Sequence, residues 1–218
     1  MTATILQYAL YLIVLVALAI PLGAYMAKVM QGDRTLLSPI LNPCERLIYR
    51  ALRVRAEEQM TWKKYAASVL IFSLVSLIVL FLIQLAQGVL PGNPQRLPGV
   101  PWDLSFNTAV SFVTNTNWQA YAGESTLSYL TQALGLTVQN FLSAAVGIAV
   151  LFALIRGLMQ VKGKGLGSFW VDLTRITVHI LLPLNLVIAL CLAGGGVIQN
   201  LKPAETVDLL EPVAISAE

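Results

Sequence analysis

The chain has 218 residues, 57% of them hydrophobic and 11% charged, with a net charge of +3 at neutral pH. Soluble domains carry about 25% charged residues, so this composition excludes an ordinary water-soluble globule and points to the bilayer as solvent. Only two cysteines occur, Cys44 and Cys191, with one histidine, His179, and no C-x-x-C spacing; that excludes a structural zinc site.

The first element is the apolar run Ile5–Ala27. A secretory signal has basic residues before a shorter apolar core; here no Lys or Arg precedes Lys28, so the run reads as a retained helix. A helical crossing takes about 20 mostly apolar residues. Four segments qualify: Ile5–Ala27, Tyr65–Gln87, Tyr129–Ile155 and Ile176–Val197, none with a Lys, Arg, Asp or Glu. The expected fold class is therefore an all-α polytopic membrane protein with four transmembrane helices, to which the segment between the second and third adds one shorter re-entrant helix and loop.

Basic residues set the orientation. The loop over 28–64 holds eight of the fourteen, and Arg156, Lys162, Lys164 and Arg175 add four in the loop over 156–175, against Arg96 and Lys202 on the other side. The expectation is an N-terminus outside, both basic loops in the cytoplasm, and an external tail over 198–218 carrying Glu205, Asp208, Glu211 and Glu218.

The first basic loop predicts a short helix with Asn42 as cap, Pro43 at the first helical position and Glu45 as a capping-box acid. Cys44, Leu47, Ile48, Ala51 and Leu52 then share one face, and Arg46, Arg50 and Arg53 another. Such a helix fits an interface with anionic lipid or a docking surface for a partner subunit.

Between the second and third spans, Leu90–Pro101 is rich in Pro and Gly and reads as irregular loop. Asp103 suits a helix cap, and the run behind it through Val113 is moderately apolar. About ten residues of helix reach only ~15 Å, half the hydrocarbon thickness. Such a segment enters the membrane, stops and returns, or else lies outside as a surface helix. Next comes Thr114-Asn115-Thr116-Asn117-Trp118-Gln119. A dehydrated potassium ion needs several oxygens and no strong fixed anion, or it does not leave. Backbone carbonyls supply that field when successive peptides turn their oxygens to one axis, which drives alternate residues toward positive φ. Asparagine tolerates this best after glycine. Thr114, Asn115, Thr116 and Asn117 are thus the candidate potassium-binding filter, with the negative end of the short helix behind them. Trp118 and Tyr121 fit wedges against neighbouring helices or plain interfacial aromatics. Gln119 is a neutral group that fits holding the loop. Glu124 fits a cation-attracting or a merely solvated acid.

In the third span, Gln139 and Asn140 fit hydrogen-bond glue on a close-packing face with Ser143 and Gly147, or the conduction path. Gly163, Gly165 and Gly167 match neither a Walker motif nor a dinucleotide fingerprint and read as a flexible turn. In the fourth span His179, one turn from its basic end, fits a structural residue with its tip reaching toward headgroups, or a proton or ion contact within the membrane. Pro183 removes one backbone donor and crowds the carbonyl of His179.

The run Asn107–Gln119, with Leu136–Ala145 and Trp170–Thr177, resembles the potassium-binding A subunit family of the bacterial Kdp potassium-transporting P-type ATPase. The resemblance runs through most of the chain and corresponds to the N-terminal part of the family. It implies a superfamily of potassium transporters built from four helix–pore-loop–helix repeats. It also implies potassium as the transported ligand, the bacterial inner membrane, an ATP-hydrolysing B subunit and small C and F subunits as partners, and Gln119 as an affinity-tuning position flanking the filter. No Asp-Lys-Thr-Gly run occurs, so the chain itself is expected to hydrolyse no ATP. Family members are longer. Residues 65–155 make one complete repeat, with pore helix and filter at about 103–119, and 176–197 opens a second. One repeat supplies about a quarter of the ion's ligands, so a selective pore requires the missing repeats in cis or in trans. A passive potassium channel of the same superfamily and a non-transporting fragment are the alternatives.

Overall fold

A computed structural model describes residues 2–159, 165–197 and 202 of the chain. Lys162, Gly163, Lys164 and the acidic residues of the tail lie outside them. The described residues are helical, with no strand among them. The helices are α1 (Thr2–Gln31), α2 (Ser38–Leu52), α3 (Trp62–Ala86), α4 (Trp102–Val113), the single turn α5 (Gly123–Thr126), α6 (Val138–Met159), α7 (Phe169–Arg175) and α8 (Leu182–Gly194). Wider π-helical turns at Thr131–Thr137 and Ile176–Leu181 lead into α6 and join α7 to α8. Four continuous helices are long and apolar enough to cross a membrane: Thr4–Gln31, Trp62–Ala86, Thr131–Met159 and Phe169–Gly194. The last starts seven residues before the expected Ile176. Its extra turn carries Phe169 and Asp172, both buried. Leu10, Ile13, Val16, Leu70, Leu74, Leu151, Leu186 and Leu190 are exposed along the spans, a surface matched to hydrocarbon rather than to water. Together these features make a multi-pass membrane protein.

Two local expectations are corrected. The first basic-loop helix begins at Ser38 with Pro39 in its first turn, so Pro43 lies inside it and Asn42 caps nothing. Glu45 serves no capping box because buried partners on the fourth span claim it. Likewise α4 is capped at Pro101, and Asp103 falls in its first turn, where an acid still favours the positive helix end.

Charge pairs bind the basic ends of the spans together. Arg156 grips Asp172 with two nitrogens, at 2.6 and 2.9 Å, and Tyr65 donates to the same carboxylate at 3.0 Å. Asp172 is only 2% exposed, so it depends on this pairing. Tyr65, Phe72, Phe169 and Trp170 pack edge to face around it. Gly167, expected in a flexible turn, is instead fixed. Its φ is +87° and a Cβ there would sit 2.6 Å from the Arg156 guanidinium. Its carbonyl accepts from the Met60 amide at 2.9 Å.

A second cluster ties α2 to the fourth span. Glu45 accepts from Arg175 Nε at 3.2 Å and from Tyr49 at 2.6 Å, and its other oxygen lies 2.8 Å from His179 Nε2. His179 is 4% exposed, so its ring reaches a carboxylate rather than the headgroups. Pro183 stands at the start of α8, and the carbonyl of His179 that its ring displaces accepts from the Tyr25 hydroxyl of α1 at 2.7 Å. Burial raises the Glu45 carboxyl, but its bonds to His179, Tyr49 and Arg175 outweigh that and hold it at about 2, below its ordinary 4.5.

At the other end, α4 packs on α3, with Phe81 against Phe106 and with Leu80, Val100, Ala109, Phe112, Leu127 and Leu136 as the core. Two fully buried glutamines join the backbone there. Gln84 donates to the carbonyls of Leu80 and Ser105 at 3.1 and 3.2 Å. Gln87 donates to those of Pro98 and Thr126 at 2.7 and 2.8 Å and accepts from the Ser128 amide at 3.1 Å. Gly99 passes so near that a Cβ would fall 2.4 Å from the Leu85 carbonyl oxygen.

Arg156→Leu leaves the Asp172 carboxylate without its cation and is expected to cost about 3 kcal/mol, read as a lower melting temperature of the solubilised protein. Gln87→Leu strands one amide and two carbonyls and is expected to cost about 2 kcal/mol or more, read as faster proteolysis in the 88–101 loop. Because the folded Glu45 carboxyl lies below its unfolded value, the stability that it contributes is present above pH 4.5 and is lost as pH falls toward about 2. Acid melting curves are expected to fall less steeply for Glu45→Gln than for the native protein.

Candidate functional site

The loop after α4 is built by one turn of helix and two asparagines. The Thr114 amide bonds to the Val110 carbonyl at 3.0 Å, closing the helix. Asn115 then donates to Phe112 O at 3.3 Å, and Thr116 and Asn117 both donate to Ser111 O, at 2.9 and 3.2 Å. The Trp118 amide bonds to the Ser111 hydroxyl at 2.5 Å. This folding back is possible because Asn115 and Asn117 adopt φ of +58° and +57° while Thr114 stays at −82°. Asparagine enters the left-handed region at less cost than a branched residue.

The consequence is directional. In a trans peptide the C=O points opposite to the N–H of the next residue. Four consecutive N–H groups, from Asn115 to Trp118, point toward the last turn of α4. The carbonyl oxygens of Thr114, Asn115, Thr116 and Asn117 therefore face away from it. Among the described residues none of the four accepts a hydrogen bond. The Thr114 and Thr116 hydroxyls lie 2.9 Å apart. All four residues are exposed.

The electrostatics of this loop are neutral. No charged residue occurs between Asp103 and Glu124, and the negative end of α4 lies directly behind the turn. Several uncharged oxygens on a negative helix end suit a hard monovalent cation that must bind and then leave. A divalent ion or an anion finds neither the carboxylates nor the donors that it needs.

The structure thus brings Thr114, Asn115, Thr116 and Asn117 into one turn. Gln119 stands beyond it and donates to the Tyr121 hydroxyl at 3.4 Å. Tyr121 packs against the α3–α4 core, whereas Trp118 is exposed. On α6, Gln139 and Ser143 turn inward, but Asn140 and Gly147 are exposed, so the expected close-packing face is only half present. The Ser143 hydroxyl lies 3.2 Å from the Asn115 amide oxygen. Sequence reasoning missed Ser111 and the anchoring pair Gln84 and Gln87. The glutamines were detectable as two polar residues three apart, on one helix face, at the end of an apolar span.

Comparison with known proteins bears on the chain as a whole. The family described as the potassium-transporting ATPase A subunit matches residues 9–217. The potassium-transporting ATPase potassium-binding subunit of Clostridium botulinum is 61% identical over 97% of this chain and 36% of the relative. Proteins of the same description from Clostridium perfringens and Geobacter metallireducens are 60% and 54% identical, over 99% and 95% of this chain and 37% and 36% of theirs. The chain spans little more than a third of the length of these curated relatives. At this identity and coverage, the chain belongs to the potassium-transporting ATPase A subunit family.

Proposed function

We propose that this chain supplies the first selectivity loop of an ATP-driven potassium uptake pump. Thr114, Asn115, Thr116 and Asn117 offer a quarter of the oxygens that strip and bind potassium, and Gln119 tunes affinity from the filter's flank. The remaining repeats complete the ring. ATP hydrolysis belongs to a separate B subunit, with small C and F subunits completing the complex in the bacterial inner membrane. The N-terminus lies outside. The basic loops, including the α2 surface with Arg46, Arg50 and Arg53, face anionic lipid in the cytoplasmic leaflet.

The observation that carries this reading is the common direction of four unpaired carbonyls, held by the two left-handed asparagines. The family membership supports potassium as the ion, because the matched relatives are named for binding it. The dimensions also agree. Twelve residues of α4 make a helix of about 18 Å, too short to cross hydrocarbon and long enough to reach its middle.

Asn115→Val or Asn117→Val forces a β-branched residue into positive φ. In the assembled transporter each is expected to abolish the preference for potassium over sodium, measured by competitive uptake in cells or vesicles. Unchanged selectivity with normal assembly would defeat the carbonyl-filter reading.

A further inference from the structure

Asn115 is the more demanding of the two asparagines. It starts the left-handed turn, and its side chain is the one that a neighbouring span touches. Ser143 lies on α6, is 4% exposed, and places its hydroxyl 3.2 Å from the Asn115 amide oxygen. The same hydroxyl lies 3.2 Å from the Asn140 carbonyl one turn back. A serine has one proton and two lone pairs, so it donates to one of these oxygens at a time. Asn117 adds its own amide nitrogen to the same Asn115 oxygen at 3.4 Å. The Asn115 amide is thus held on one side by the loop and on the other by a different membrane helix.

The position of Ser143 is itself set by an irregularity. The π-helical turn Thr131–Thr137 precedes α6 and changes which residues face inward from the regular helical register. Gln139, Ser143, Ala145, Ala149 and Ala153 are the buried residues that result. Gly135 sits in the same turn, where a Cβ would lie 3.0 Å from the Leu80 side chain of α3. The α3–α6 contact, the wide turn and the serine therefore form one connected path to the loop.

We propose that Ser143 is a positioning residue for ion selectivity: its hydroxyl tethers the Asn115 amide and holds the left-handed turn that aims the Thr114 and Asn115 carbonyls. This rests on the filter reading above. Ser143 touches no ion. It acts by restraining the backbone, so its removal widens the range of carbonyl positions and admits a smaller cation. The loop's own bonds remain, so the effect is partial.

The test uses the complete transport complex containing Ser143→Ala, Ser143→Cys, Asn115→Gly and the Ser143→Ala/Asn115→Gly double variant. Assembly and melting temperature are checked in parallel. Loss of one hydrogen bond corresponds to roughly a three- to tenfold change in equilibrium. Ser143→Ala is expected to lower potassium-over-sodium discrimination by that factor and to raise the KM for potassium, with kcat little changed. Ser143→Cys keeps the volume with a weak donor and is expected to behave as Ser143→Ala does. In the Asn115→Gly background, where no amide is left to tether, Ser143→Ala is expected to add nothing. Native discrimination in Ser143→Ala or Ser143→Cys would overturn the proposal, as would a full further loss in the Asn115→Gly background. Asn115→Val separates the two levels. If it destroys selectivity while Ser143→Ala does not, the tether fails and the filter stands. If neither changes selectivity, both fail.

Discussion

Four peptide N–H groups turned onto one helix end govern the structure of the candidate site. Ser111 and Phe112 supply the acceptors, and Ser111 contributes both its carbonyl and its hydroxyl. A peptide cannot hide its donor without presenting its acceptor on the opposite side, so satisfying the amides of residues 115–118 leaves a row of free oxygens. On the proposed reading the same geometry serves the ion, because a weakly held cation needs oxygens that nothing else occupies. The asparagines make this possible because the turn needs two positive φ values within three residues.

Holding such a turn steady falls to the helices around it. The short α4 has little stability of its own at three turns, and it leans on α3 through Phe106, Phe112 and the buried Gln84. Gln87 takes over the Pro98 and Thr126 carbonyls of the chain around α5 and the preceding loop. At the far end of α3, Tyr65 reaches the Arg156–Asp172 pair. One helix thus links the loop to the charged layer about 25 residues away along its length. That layer is buried and ionic, an arrangement that fixes relative position more than it adds stability. The π-helical turns at Thr131–Thr137 and Ile176–Leu181 fit the same pattern. Each departs from regular hydrogen bonding, and each sits beside a side chain that crosses between helices: Ser143 in α6 and His179 in the fourth span.

The exposed apolar surface of α1 and α8 and the open face of the 114–117 turn have one physical meaning on the proposed reading. Lipid covers the first, and further repeats cover the second. On that reading, carbonyls from one loop occupy one side of an ion. The closing oxygens come from elsewhere in the assembly.

By composition and hydropathy alone, the sequence determined the solvent, the four spans, their basic flanks and a short helix between the second and third. The alternation Thr-Asn-Thr-Asn also determined where positive φ falls, because few other residues accept it. Long-range pairing was beyond its reach. Local rules made Glu45 a capping acid, and the structure gave it instead to Arg175 and His179, 130 and 134 residues away. They made Gly167 part of a flexible turn, whereas a guanidinium fills the space that its missing Cβ leaves. Periodicity placed Gly147 and Ser143 on one face, but tertiary packing buried only the serine. Capping, turn and period rules act over a few residues. Which buried acid meets which cation, and which hydroxyl reaches the loop, depends on how spans pack side by side, and only the tertiary structure decided that.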